Sequence, residues 1–298
     1  MAVVEQTAAA RPAFAAARRR LPLAWLGVAP FLAFAGLFLL WPAADVLVGA
    51  FRTDAGGLTF KHVGDLFQAQ YLRAYRTSVE LSLLTAALGV VLGGVFAYAS
   101  VREGTPRVVR AVVTAFSGVA ANFGGIPLAF AFIATLGTVG VVTGWLRDVG
   151  IDLYAHGFTL FGFWGLAITY LYFQVPLMLL VVAPALDGLR REWREAAESL
   201  GAPGWRYWAH VGLPVLAPSF LGAFLLLFGN AFSAYATAYA LAGGSVNLVP
   251  ILIGSVLSGN VLSDPHLGQA LAFGMVVVMA ATTLLYALIN RRVSRWTR

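Results

Sequence analysis

Few residues in this chain have the types and spacing that chemistry needs, and the densest group lies in one place. Residues 187–212 are a long polar stretch between apolar runs, and they contain Glu195-Ala196-Ala197-Glu198-Ser199-Leu200-Gly201, followed after nine residues by Val211-Gly212-Leu213-Pro214. Leu189, Trp193, Ala196, Ala197 and Leu200 recur at i, i+4, i+7, i+8 and i+11, which is one face of a helix. Arg190, Arg191, Arg194, Glu195 and Glu198 occupy its other sides, with Arg191–Glu195 and Arg194–Glu198 at the i,i+4 spacing that is worth a few tenths of a kcal/mol per pair. Gly201 suits the left-handed position at a helix C-terminus, with Pro203 just beyond it. A second short helix is expected from Trp205 to Val211, and Pro214 opens the next apolar span, where a missing amide proton costs little. The chemistry available here is that of docking: two alanines let another surface come close, and Glu195 offers its charge to a basic partner. A loop helix that only anchors at lipid headgroups fits the same residues.

Other chemistries find little support. There is no cysteine, hence no disulfide or thiolate site. His62, His156, His210 and His266 show no ligand spacing, so no metal is expected. No histidine stands in a triad context, and the apolar spans carry almost none of the acidic or histidine pairs that an intramembrane enzyme needs. The polar residues within apolar runs are Asn122 beside Gly124-Gly125, Gln174 beside Pro176, and Asn230, Ser233 and Tyr235 close together, with Thr237 and Tyr239 following. Polar groups at membrane depth face the bundle interior or water, so Asn122, Gln174, Asn230, Ser233 and Tyr235 are candidates to line a path, with hydrogen bonding between helices as the other reading. Asp45 and Asp264 fall at the outer ends of spans, either as acceptors for a cationic solute or as solvated helix ends.

The elements that must position these groups are membrane helices. Hydrophobic residues make up 60% of the 298 and charged ones 11%, against about 25% charged in a soluble domain. Lipid is therefore the expected solvent, and the net charge of +7 belongs to segments between apolar runs rather than to a nucleic-acid surface. Residues 1–20 read as a basic arm. Arg18-Arg19-Arg20 before an apolar run has the order of a signal peptide, but residues 21–44 carry no charge and are long enough to span, so a retained first span is expected. Six spans are predicted over 22–50, 78–101, 111–136, 158–186, 214–241 and 266–290, all helical. Gly89, Gly93 and Gly94 in the second have the spacing of close helix contact. The third is broken by Asn122-Phe123-Gly124-Gly125-Ile126-Pro127 and is read as one kinked helix. Residues 243–265 are read as a loop with an apolar patch at 248–257 too short to span. Lys and Arg number fifteen on the side of the N-terminus and five on the other, which places both termini and residues 187–212 in the cytoplasm.

The Glu195-Ala196-Ala197, Gly201, Val211-x-Leu213-Pro214 pattern resembles the signature of permease subunits of binding-protein-dependent ATP-binding-cassette importers, with Val211 where that signature has isoleucine. Its place between the fourth and fifth of six spans is similar too, and residues 122–136 and 184–218 look closest to permeases of the polyamine, phosphonate, iron and sulfate type. The resemblance implies an all-α permease domain over 21–298 in a bacterial inner membrane. It also implies a coupling helix over 188–200 that docks on a cytoplasmic ATPase through Glu195, Ala196, Ala197, Gly201, Leu213 and Pro214. Its partners would be a second permease (a heterodimer rather than a homodimer), two copies of the ATPase and an extracytoplasmic solute-binding protein. The sequence holds no Gly-x-x-x-x-Gly-Lys-Ser/Thr loop, so no cofactor is expected on this chain and ATP is hydrolysed by a partner. The solute would be a polyamine or a similar small charged molecule. A receptor or scaffold whose cytoplasmic helix binds a soluble partner without transport is the alternative.

Because the chain has no cysteine, Ser199→Cys creates a unique label. An impermeant maleimide should modify it in inside-out vesicles and leave it untouched in sealed right-side-out vesicles; the opposite pattern would reverse the orientation.

Overall fold

The computed structural model describes residues 24–53, 56–102, 104–155, 157–258 and 264–293. The arm expected over 1–20, His156, Arg295 and Arg298 lie outside the described residues. The chain divides into a unit of residues 1–45 and one of residues 46–298. In the first, α1 (Ala24–Ala35) runs through a π-helical turn (Gly36–Leu40) into α2 (Trp41–Gly49), of which residues 41–45 belong to that unit. The Trp41 N–H reaches five residues back to the Gly36 carbonyl. Pro42 follows, and a proline has no N–H for the carbonyl four residues back and presses its ring against it; the widened turn takes up that misfit. Phe31, Phe34, Leu37, Phe38 and Trp41 are all exposed, as suits a helix whose surroundings are apolar.

The second unit continues with α3 (Lys61–Asp65), α4 (Ala69–Val101), α5 (Arg107–Asn122), α6 (Gly125–Leu136), α7 (Val141–Asp148) and α8 (Phe163–Asp187). Then come α9 (Arg191–Ser199), α10 (Gly204–Tyr207), a second π-helical turn (Trp208–Gly212), α11 (Leu213–Phe232), α12 (Ala236–Ala242), α13 (Val249–Leu257) and α14 (Pro265–Val293). Among the described residues the protein is all-helical; the β-pairing present is a lone Arg52–Leu58 bridge over a turn in which Gly56 has φ +79°. Six helical stretches are long and apolar enough to cross a membrane: Gly27–Gly49, Ala69–Val101, Gly125–Asp148, Phe163–Asp187, Gly204–Phe232 and Pro265–Arg292.

Four of the expected elements differ, the first being the second span, which begins at Ala69 instead of 78. The single kinked helix read over 111–136 is two helices, α5 and α6, parted at Phe123 and Gly124, and the third qualifying stretch is α6 together with α7. The span read as beginning at Pro214 begins ten residues earlier at Gly204, because α10, the π turn and α11 are continuous in helical dihedrals, and it breaks after Phe232 instead of running to 241. The apolar patch in the 243–265 loop is α13, whose Val249 and Ile251 are buried and whose Val249 N–H donates to the Ser78 hydroxyl of α4 at 2.9 Å.

The frame is α4, α8 and α11. A Cβ on Gly93 would sit 2.5 Å from the Met178 Cβ and 2.7 Å from the Val175 carbonyl oxygen of α8. One on Gly89 would meet Leu227 of α11 at 2.8 Å, and one on Gly94 would meet Phe220 at 3.0 Å. The three glycines thus let two helices close on α4, where burial of Ala86, Met178, Val182, Leu227 and Phe228 seals the joint. In lipid, where apolar burial alone drives no association, such close packing carries much of the holding energy. Gln174 lies inside it, 0% exposed, with its Nε2 donating to Thr85 Oγ1 at 2.7 Å. At the far end of α8, Asp187 pairs with Arg110 of α5.

Gly93→Ala should lower stability by about 1–3 kcal/mol through overpacking against α8, read as a fall in the thermal midpoint in detergent. Gly118→Ala, with nothing within 4 Å of the added Cβ, should be neutral or slightly stabilising; equal midpoints for the two variants would refute the packing account.

Candidate functional site

Two features stand out, one at a membrane end and one within the bundle. The first is the corner that ends α9. The Gly201 N–H donates to the Glu198 carbonyl and the Ala202 N–H to the Ala197 carbonyl, both at 2.9 Å, and Gly201 has φ +73°. This paired 6→1 and 5→2 closure satisfies the last carbonyls of the helix and needs a left-handed residue, which is why glycine stands there. Both i,i+4 pairs form, Arg191–Glu195 at 2.7 Å and Arg194–Glu198 at 2.9 Å. The helix is nevertheless exposed along its apolar face. Leu200 is 87% and Trp205 65% exposed, and Trp193, Ala196, Ala197, Leu200, Val211 and Val215 border an open cleft of about 380 Å³.

The chain then passes through the π turn into α11. The Leu213 N–H reaches back to the Trp208 carbonyl, and Pro214 follows as Pro42 follows the first π turn. The Trp208 ring lies over Gly212, where a Cβ would be 2.6 Å from the ring. Leu213, Pro214 and Val215 are exposed, and Val215 lines the cleft. Glu195, Ala196, Ala197, Gly201, Leu213 and Pro214 are therefore all on one exposed end of the protein.

The second feature is where two helix breaks meet. α5 and α6 part at Phe123–Gly124, and α11 and α12 part at Ser233–Tyr235. Backbone freed at membrane depth needs partners within the protein, and it has them. The Gly125 N–H, at φ +72°, donates to Thr237 Oγ1 at 2.7 Å, and Thr237 is 4% exposed. The buried Tyr170 hydroxyl of α8 donates to the Ala234 carbonyl at 3.2 Å. Beside this joint lies a cavity of about 280 Å³ whose walls include Asn122, Asn230, Ser233, Tyr235 and Thr237 and no charged side chain. Asn122 Nδ2 and Ser233 Oγ each donate to a carbonyl of their own helix, Gly118 at 2.9 Å and Gly229 at 2.8 Å. Tyr235 stacks on Tyr239 at 5.4 Å and covers Gly254 of α13, where a Cβ would come within 2.5 Å of its ring.

Four of the five polar candidates thus share one cavity; Gln174 does not, being sealed between α4 and α8. Thr237 and Tyr170, which the sequence shows only as polar members of their spans, hold the joint together. A further cluster has no sequence signal at all: His62, buried, has its Nδ1 3.3 Å from Asp264 and its ring 5.6 Å from that of His266. The histidines are therefore not all scattered, and Asp264 is engaged with one of them. Among the described residues no three His, Cys, Asp or Glu are grouped to hold a metal.

Six apolar stretches, an exposed amphipathic corner between the fourth and fifth, and a cavity at paired helix breaks with no charged side chain among the described residues that line it define a multi-pass helical membrane protein with an exposed amphipathic end and a polar interior. The chain belongs to the family described as binding-protein-dependent transport system inner membrane component, whose profile matches residues 89–297 and so spans both features. It is 26% identical to the sulfate transport system permease protein CysW of Synechococcus elongatus, over 93% of this chain and 92% of that one. It is 25% identical to the spermidine/putrescine transport system permease protein PotB of Haemophilus influenzae, over 87% and 91%. In fold it is similar to a chain in the crystal structure of a bacterial ABC transporter involved in the import of the acidic polysaccharide alginate, with a TM-score of 0.71, 20% identity, and 91% of this chain and 95% of that one covered.

Thr237→Val keeps the shape but leaves the Gly125 N–H without its acceptor. A buried donor stranded in this way costs about 1–3 kcal/mol, so the thermal midpoint should fall; an unchanged midpoint would mean that the joint is held by other contacts.

Proposed function

We propose that this chain is one half of the transmembrane pathway of an ATP-driven importer in a bacterial inner membrane. A second permease, in a heterodimer, would form the other half. An extracytoplasmic binding protein would deliver the solute, and two cytoplasmic ATPase subunits would supply the energy. The observation that carries this reading is the exposed α9 corner. A helix that leaves Leu200 almost wholly uncovered, next to a cleft floored by two alanines, is shaped for a partner's surface.

In the proposed cycle α9 is the coupling helix. Ala196 and Ala197 allow close approach, Glu195 meets a basic group of the ATPase, and Gly201 keeps the turn that sets the helix at its angle. Closure of the ATPase pair displaces α9, and the corner passes that displacement through the π turn and Pro214 into α11. The far end of α11 is the break at Ser233–Tyr235, so movement delivered at one end changes the wall of the cavity at the other. Asn122, Asn230, Ser233 and Tyr235 are the proposed contacts along the path; Gln174, sealed inside the frame, is assigned to packing instead. The proposed solute is a small charged one, of the polyamine kind or similar. Relatives named for sulfate and for spermidine/putrescine transport carry solutes of opposite charge, and a path lined by uncharged hydrogen-bonding groups suits either sign, with selection left to the binding protein.

Glu195→Lys and Gly201→Asp should each leave the protein in the membrane at wild-type level but lower ATP-dependent uptake in proteoliposomes by at least about tenfold, equivalent to 1.4 kcal/mol of lost coupling. ATPase activity should cease to respond to loaded binding protein. Wild-type uptake by both variants would sink the coupling role, and ATPase binding without uptake by the wild-type chain would favour a scaffold.

A further inference from the structure

Two cavities at one end of α4 share part of their walls, and their linings differ in kind. The outer one, about 280 Å³, is bordered by Arg102, Arg190, Arg191 and Arg194, with Asp187 as the carboxylate in its wall. Asp187 already pairs with Arg110, and Arg191 and Arg194 pair with Glu195 and Glu198 along α9. Arg190 lies over the Trp193 ring at 5.9 Å. Once those carboxylates are matched, Arg102 and Arg190 remain as cationic groups that no carboxylate among the described residues lining the cavity neutralises. The inner cavity, about 350 Å³, is a groove between α4 and α11 walled by Val90, Val91, Val95, Leu213 and Phe220. Gly94 gives it depth, since a Cβ there would press on Phe220 at 3.0 Å. Tyr98, Leu186 and Trp208 line both cavities, and the rings of Tyr98 and Trp208 meet edge to face at 5.1 Å.

A cationic bowl that shares part of its wall with an apolar groove, with a tyrosine and a tryptophan at the junction, has the polarity profile of an anionic amphiphile. Guanidinium groups bind phosphate oxygens in a planar fork, basic pockets between membrane helices receive anionic headgroups, and aromatic rings favour the depth at which headgroup gives way to chain. Val91 and Val95 face outward, 62% and 64% exposed, so the groove is open on that side. We propose that the chain binds one anionic phospholipid at this place, with its phosphate held by Arg102 and Arg190 and one acyl chain lying along α4 against α11. The site lies beside the α9 corner, because Arg190 immediately precedes α9 and Trp208 belongs to the π turn that follows it. Occupancy would thus brace the connection between α9 and the bundle. Nothing in this proposal requires the coupling role of α9.

The test is native mass spectrometry on the assembled importer, purified in detergent and offered phosphatidylglycerol or phosphatidylcholine of identical chains. Phosphatidylglycerol should be retained at least about tenfold better, and the double variant Arg102→Gln/Arg190→Gln should lose that preference. Val95→Trp, which fills the groove at an exposed position, should weaken retention of the lipid without removing a charge, and it serves where the arginine variant fails to fold. Arg147→Gln, on α7 outside both cavities, should change nothing. Equal retention of the two lipids by the wild type, or a preference that survives both the double variant and Val95→Trp, would overturn the proposal. Displacement by millimolar glycerol 1-phosphate would also overturn it by identifying a soluble phosphate ester as the ligand. So would efficient crosslinking of a Val95→Cys variant to the second permease, which would make the groove a protein interface.

Discussion

In hydrocarbon there is no water to receive a backbone group that leaves its helix, and most of this structure follows from how such groups are accommodated. Two helices of the bundle are interrupted, between Asn122 and Gly125 and between Phe232 and Ala236. Each unsatisfied group at that depth would cost several kcal/mol. The breaks are tolerated because they meet: Thr237 of one closes on Gly125 of the other, and Tyr170 of α8 caps the carbonyl at Ala234. The polar cavity is a consequence of that meeting, since irregular backbone and short polar side chains gather there together.

Two of the prolines, Pro42 and Pro214, pose the same problem in milder form, and at both the solution is the same. Each π turn ends immediately before an X-Pro pair, Trp41-Pro42 or Leu213-Pro214, and in each the residue preceding the proline reaches five positions back. At these two positions a widened turn spaces the carbonyl that proline cannot bond, and the helix continues through it. This is why α11 extends back to Gly204 as one rod. The tight contacts of Gly89, Gly93 and Gly94 then set a rigid frame against which that rod lies, while α9, attached through Gly201, is left with few contacts of its own.

What the sequence made legible was what depends on local chemistry. The Gly201 turn, the Arg191–Glu195 and Arg194–Glu198 pairs, and the packing role of the three glycines each need only neighbours within about a turn, or a small residue where large ones would clash, and each is present as read. Pro214 reads as a start signal because a missing amide proton costs little at a helix start; the π turn before it, with the Trp208 ring over Gly212, is something no local rule contains. Asn122, Asn230, Ser233 and Tyr235 stood out as polar residues in apolar runs, but the same reasoning admitted Gln174, since polarity alone does not distinguish a group lining a cavity from one bonded to Thr85 inside a seam. The His62–Asp264–His266 cluster joins residues about two hundred positions apart in the sequence, and only the fold brings them together.

The contrast between frame and corner bears on how a push at one end could matter at the other. A helix transmits displacement along its axis because its hydrogen bonds resist stretching, and α11 with its 20 residues is about 30 Å long, close to the thickness of the hydrocarbon core. It is bounded by the π turn at Trp208–Gly212 and the break at Ser233–Tyr235, and Pro218 inside it leaves one carbonyl without its helical donor. A load on α9 would be absorbed locally if the π turn were the softer end, and would reach the cavity if Tyr98 and Trp208 hold that turn against α4 firmly enough. In the proposed cycle, whatever fills the groove beside those two rings would act on the efficiency of the coupling, which would tie the amphiphile site to transport without placing it on the solute's path.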